Sequence, residues 1–100
     1  MITQITSENY EQEVLNAKGT VVVDFYADWC GPCQMQGPII EALAKERTDV
    51  KFCKLNTDKA VKIAIENGIT SIPTIMIVKD GEITFKEAGL MQKDELLALI

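Results

Sequence analysis

The sequence predicts an α/β domain in which a central mixed five-stranded sheet is flanked by four helices. Three observations carry that expectation. Runs of β-branched and aromatic residues alternate with stretches of helical spacing, the pattern of strands joined by crossover helices. Lys79-Asp80-Gly81-Glu82 separates two apolar runs with a hairpin signal, so part of the sheet must be antiparallel. The chain has 100 residues, of which 47% are hydrophobic, enough for one domain spanning 1–100 with an ample core. It contains no linker, repeat or low-complexity stretch.

The elements follow in order. Residues 1–5 read as a short strand. Residues 7–17 carry Tyr10, Val14, Leu15 and Ala17 at helical spacing and stop at Lys18-Gly19. Residues 21–27 are β-branched and aromatic with only Asp24 interrupting, as in a strand buried on both faces. A long helix over about 33–47 has Ile39, Ile40, Leu43 and Ala44 as its inner stripe, with Pro38 expected to kink it. Residues 50–56 form a second central strand, and 58–67 a helix ending at Gly68 in the left-handed C-cap role. Strands over 74–78 and 83–87 flank the hairpin. Residues 92–100 close the chain as a helix with Leu96, Leu97 and Ile100 inward and Gln92 a weak cap.

Charge and length exclude several functions. A net charge of −5 argues against nucleic acid, which requires a basic face. No apolar run approaches a membrane span. The N-terminus lacks the basic and long apolar regions of a signal peptide. Three cysteines, two of them a tight pair, suit a reducing compartment, so the expected location is cytoplasmic.

The chemistry concentrates in Trp29-Cys30-Gly31-Pro32-Cys33, directly after the buried strand. A helix starting at the first cysteine brings both sulfurs onto one face of its first turn, within disulfide reach. Its N-terminus adds partial positive charge and free N–H groups, which favour thiolate at Cys30. A low-pKa thiol beside a resolving thiol is the minimal apparatus of a dithiol–disulfide oxidoreductase. A zinc half-site is the weakest competing reading, because Cys53 stands alone and the chain has no histidine. A static disulfide would close a very small loop, where entropic stabilisation is least. Neither a metal nor a cofactor is called for.

These residues resemble the thioredoxin family. The resemblance is carried by Val23-Asp24-Phe25 ahead of the Cys-Gly-Pro-Cys motif, by Pro38, Lys54-Leu55-Asn56 and Ile72-Pro73-Thr74, and by Gly81 and Gly89. It runs from about residue 5 to 97 and implies a thioredoxin fold. It further implies a general protein-disulfide reductase, recharged by a thioredoxin reductase, acting on disulfide-containing proteins as a monomer. Cys30, exposed at the helix start, is then the nucleophile, and Cys33, more buried, resolves the mixed disulfide. Gly31 lets the backbone turn, and Pro32 fixes φ where the helix begins. Trp29 belongs to the docking surface with Gly31, Pro32, Ile72 and Pro73. The alternative is a binding scaffold of the same fold without redox turnover.

Asp24 and Pro73 carry competing readings. A carboxylate inside an apolar strand is costly if buried and unpaired, and its pKa rises. Against an exposed edge position stands Lys54, on the candidate neighbouring strand, which is placed to pair with it. The resemblance makes Asp24 the proton acceptor for Cys33 and Lys54 its modulator. Pro73 reads either as a strand-initiating proline or, as the resemblance implies, as the second residue of a cis bond set against the cysteine pair. Gln34, Tyr26 and Gly37 depart from the family pattern. Cys53 reads as a small core residue.

Overall fold

Val21, Val22, Val23 and Phe25 are all 0% exposed, so their strand is covered on both faces. That strand, β2 (Thr20–Tyr26), is the axis of the sheet. The computed structural model covers residues 1–100. Around β2 lie β1 (Ile2–Ile5), β3 (Lys51–Asn56), β4 (Thr74–Lys79) and β5 (Glu82–Ala88), in the order β1-β3-β2-β4-β5. The first three neighbours run parallel, whereas β4 is antiparallel to both β2 and β5. Three helices connect them, α1 (Glu11–Leu15), α2 (Gly31–Glu46) and α3 (Val61–Glu66), and α4 (Lys93–Leu97) follows the last strand.

Strand alternation sorts the core into two layers. Val21, Val23, Phe25, Leu55 and Met76 pack with Val14 of α1 and Ile63 of α3. On the other face Val22, Phe52, Ile75 and Ile77 pack with Ile40 and Leu43 of α2 and Leu96 of α4. Asp24 follows Val22 by two residues, so it lies on the α2 face.

Three helices are shorter than their sequence patterns suggest. The first spans Glu11–Leu15 and is a π-type turn, with the Asn16 N–H donating to the Glu11 carbonyl at 2.8 Å. Upstream, the Thr6 N–H donates to Asn9 Oδ1 at 2.7 Å and the Asn9 N–H to Thr6 Oγ1 at 3.3 Å. These local side-chain bonds hold residues 6–9 in a turn instead of a helix. Before α3, the Asn56 carbonyl accepts from the N–H groups of Lys59 and Ala60, and its Oδ1 accepts from Asp58 N–H. The helix starts only at Val61 and ends as expected at Gly68, whose φ is +67°. In α4 Leu96 is buried while Leu97 and Ile100 are half-buried on the same core layer. The weak cap at Gln92 is offset by Glu95, whose Oε1 accepts the Gln92 N–H at 2.8 Å.

Helix α2 begins earlier than its apolar stripe, at Gly31, with Cys30 as N-cap. Its inner face is Cys33, Gln36, Ile40, Leu43 and Ala44, and Ile39 is only half-buried. The helix passes through Pro38 unbroken. Pro38 and Gln34 are both exposed, so the missing helix bond lies on the outer side of α2. Gly37 has no atom within 4 Å of where a Cβ would sit, and its φ is not positive. Gly37→Ala is accordingly expected to stabilise the fold by about 1 kcal/mol, read as a raised urea midpoint at unchanged slope.

The hairpin has the predicted geometry. Asp80 and Gly81 have φ of 49° and 86°, the two positive values of a type I′ turn. A Cβ on Gly81 would stand 2.9 Å from the Leu15 carbonyl oxygen, so glycine is required there by space as well as by φ.

Candidate active site

The strand β2 ends at Tyr26, and the chain turns through Ala27-Asp28-Trp29 into α2. Cys30 is extended at the N-cap, which aims its Sγ back over the helix end. Cys30 and Cys33 form a disulfide with Cα atoms 5.3 Å apart. The Cys33 N–H points at Cys30 Sγ, 3.2 Å away, so Cys30 takes the position where a capping side chain normally accepts. The expected difference in exposure is not found: each cysteine is 5% exposed. Ala27, Tyr26 and Ile72 pack around the pair and cover Cys30 as well as Cys33. Gly31 also differs from expectation. It lies inside α2 with no positive φ and with open space at its Cβ direction, so no special backbone turn depends on it.

The loop before β4 approaches the disulfide from the sheet side. The Ile72–Pro73 bond is cis, and the Ile72 carbonyl oxygen lies 3.7 Å from Cys30 Sγ. The Pro73 carbonyl accepts from Gly89 N–H at 2.8 Å, and Thr74 Oγ1 donates to the Ser71 carbonyl at 2.6 Å. Proline leaves no N–H at residue 73, so the polar group that this loop aims at the sulfur is an acceptor, the Ile72 carbonyl. On the outer side Trp29 is 72% exposed, and its Nε1–H donates to Asp58 Oδ2 at 2.8 Å. Trp29, Thr57 and Ile69 to Ile72 line a shallow cleft of about 140 Å³ beside the disulfide.

Asp24 lies on the α2 face of the sheet and is 4% exposed. Its Oδ1 is buried without a hydrogen-bond partner. Burial pushes its carboxyl pKa up to about 7, and the charge of Lys54 pulls it partly back. Lys54 sits directly opposite Asp24 on β3, but the two form no ion pair. The pairing expected from sequence is thus a through-space influence without an ion pair.

Two residues of this neighbourhood escape sequence reasoning. Asp58 sits in a polar turn with no periodicity to mark it. Gln36 is 0% exposed and bonds the Met91 backbone twice, yet a polar residue in a helix suggests an outer face. Its signal was the inward spacing from Cys33 to Gln36 to Ile40. No group of three or more His, Cys, Asp or Glu side chains is placed to hold a metal ion. No helix is long and apolar enough to cross a membrane.

Comparison with known proteins agrees with the geometry. The family model described as Thioredoxin matches residues 1–100. A thioredoxin of Rickettsia prowazekii is 47% identical over 98 residues, covering 97% of this chain and 93% of that protein. One from Porphyra purpurea is 45% identical over 96 residues, covering 95% and 90% respectively. The thioredoxin of Pseudomonas aeruginosa is 38% identical over 100 residues, with 99% and 93% covered. The chain belongs to the thioredoxin family. The sheet with its four helices is a thioredoxin fold, and the Cys30–Cys33 pair is the redox centre of dithiol–disulfide exchange. As in any such exchange, two electrons and two protons pass from the dithiol to a second disulfide, and the family centre is left oxidised, the state seen here.

Proposed function

We propose that the chain is a general protein-disulfide reductase in which Cys30 is the nucleophile and Cys33 the resolving thiol, returned to the dithiol by a thioredoxin reductase. The observation that carries this reading is the Cys33 N–H aimed at Cys30 Sγ at the start of α2. A hydrogen bond and a helix N-terminus both stabilise negative charge on that sulfur, and thiolate is the attacking species. Exposure no longer separates the two cysteines, so the assignment rests on the cap.

In the reduced protein, Cys30 thiolate attacks one sulfur of a substrate disulfide. A mixed disulfide forms, and the first substrate sulfur leaves as thiolate and takes a proton from water. Cys33 passes its proton to the Asp24 carboxylate and attacks Cys30 Sγ. The second substrate sulfur leaves, and the Cys30–Cys33 bond closes. A carboxyl with a pKa of about 7 suits this role, because its basic form is populated at neutral pH while its affinity for a proton is far above that of an ordinary aspartate. Lys54 tunes it from across the strand pair. Trp29, Gly31, Pro32, Ile72 and Pro73 make the docking surface, with the Ile72 backbone free to bond an extended substrate strand. The protein acts as a monomer in the reducing cytoplasm.

The test is reduction of insulin disulfides with dithiothreitol as electron source. Catalytic amounts of the protein are expected to accelerate the appearance of insulin turbidity well above the rate with dithiothreitol alone. An unchanged rate would favour the scaffold reading, in which the fold binds partners without turnover.

A further inference from the structure

Helix α2 buries one polar side chain where packing alone calls for an apolar one. Gln36 lies between Cys33 and Ile40 on the inner stripe and is 0% exposed. Its Nε2 donates to the Met91 carbonyl at 3.0 Å, and its Oε1 accepts from the Met91 N–H at 2.8 Å. Met91 falls between β5 and α4, where no strand partner is available to its backbone. One amide thus supplies what a neighbouring strand would supply, and both buried partners are satisfied.

The connection continues to the disulfide on both sides. From Met91 the chain leads two residues back to Gly89, whose N–H holds the Pro73 carbonyl at 2.8 Å. Pro73 follows Ile72, whose carbonyl stands 3.7 Å from Cys30 Sγ. From Gln36 the helix leads one turn back to Cys33, whose N–H meets the same sulfur. The amide therefore closes a ring that joins the two halves of the site, 55 residues apart in sequence at the Gln36–Met91 link.

We propose that Gln36 is a positioning residue of the exchange reaction, its amide holding the loop of Ile72 and Pro73 in register with the helix of Cys30 and Cys33. The inference rests on the reading of Ile72 as a docking edge. An extended protein substrate must bond that edge while its disulfide meets Cys30, so drift between loop and helix misplaces the reacting sulfurs. A small disulfide that needs no edge is indifferent to the drift.

The test compares wild type with Gln36→Met and Gln36→Leu, two apolar replacements of similar volume, at a temperature where each is folded by circular dichroism. Each is assayed with insulin and with dithiobis(nitrobenzoate), a small aromatic disulfide. The expected result is a rise in KM for insulin on the order of 10-fold, as small misplacements at a reacting centre produce. The rate with the small disulfide should stay within about twofold of wild type, since the chemistry at Cys30 is untouched. Equal losses with both substrates, or none with either, would overturn the proposal and leave Gln36 a purely structural residue. A wild-type protein inactive on insulin but active on the small disulfide would instead refute the docking reading on which the proposal stands.

Discussion

Cys30→Ser is expected to lose insulin reduction entirely, down to the rate of dithiothreitol alone. A serine oxygen cannot form a disulfide, so no mixed intermediate exists and nothing downstream can rescue turnover. Cys33→Ser is expected to fail differently. Cys30 keeps its place at the helix start, attacks, and stops at a mixed disulfide that no internal thiol resolves. The trapped adduct should appear in non-reducing mass spectrometry with the mass of one substrate added, and excess dithiothreitol should release it. The two variants separate the roles because the wild-type cysteines are equally buried and differ in their partners: Cys30 Sγ faces a backbone N–H, and Cys33 Sγ has no such donor on it. Wild-type turnover by Cys30→Ser, or an adduct on Cys30→Ser in place of Cys33→Ser, would reverse the assignment.

Asp24→Ala is expected to make the protein more stable and slower. Burial holds the folded-state pKa at about 7, above the ordinary value of 3.8. A carboxyl raised in this way binds its proton more tightly when folded. Its penalty is absent below about pH 4, grows as pH rises from there, and is complete once pH passes the folded value near 7. Each pKa unit is worth about 1.4 kcal/mol, so the full interval sets a ceiling of about 4 kcal/mol. Removing the carboxyl should raise stability at pH 8 by about 1–4 kcal/mol and give no gain at pH 4, where the wild-type group is already neutral. The vacated space subtracts from that gain, whereas the pull of Lys54 is already contained in the folded value of about 7. Urea titrations of the oxidised proteins at the two pH values read the difference. Turnover should fall in parallel, because resolution loses its proton acceptor, a change worth on the order of 10²-fold or more. A variant that is less stable at pH 8 and fully active would show Asp24 to be structural only.

The parts of this molecule legible in the sequence are those where one physical signal dominates. Val21 to Phe25 announced a doubly covered strand because burial on both faces is what three consecutive valines and a phenylalanine, interrupted only by Asp24, call for. Asp80-Gly81 announced its turn because two positive φ values leave few other choices. The cysteine pair and the burial of Asp24 were legible from the residues themselves, the cis Ile72–Pro73 bond only through the family resemblance. What the sequence hid are competitions among local bonds. Thr6 and Asn9 satisfy one another and shorten the first helix, although Tyr10 and Val14 keep their inward spacing. Asn56 consumes the turn before α3 in the same way. Gln36 and Met91 meet across a distance in sequence that no spacing rule spans. The half-buried Lys54 was correctly placed opposite Asp24, yet register alone does not say whether two charges touch.

Cys53 sits on β3 between Thr3 and Val23, 0% exposed, and burial pushes its thiol pKa up to about 11. Three sulfurs allow three pairings, and only one of them is chemically open. At neutral pH Cys53 is a protonated, enclosed thiol with neither charge nor access for attack. The chain consequently has a single oxidised isomer to cycle through, with nothing to reshuffle. It also offers no spare thiol by which two copies become covalently joined, so each turn of the reaction returns the same molecule that began it.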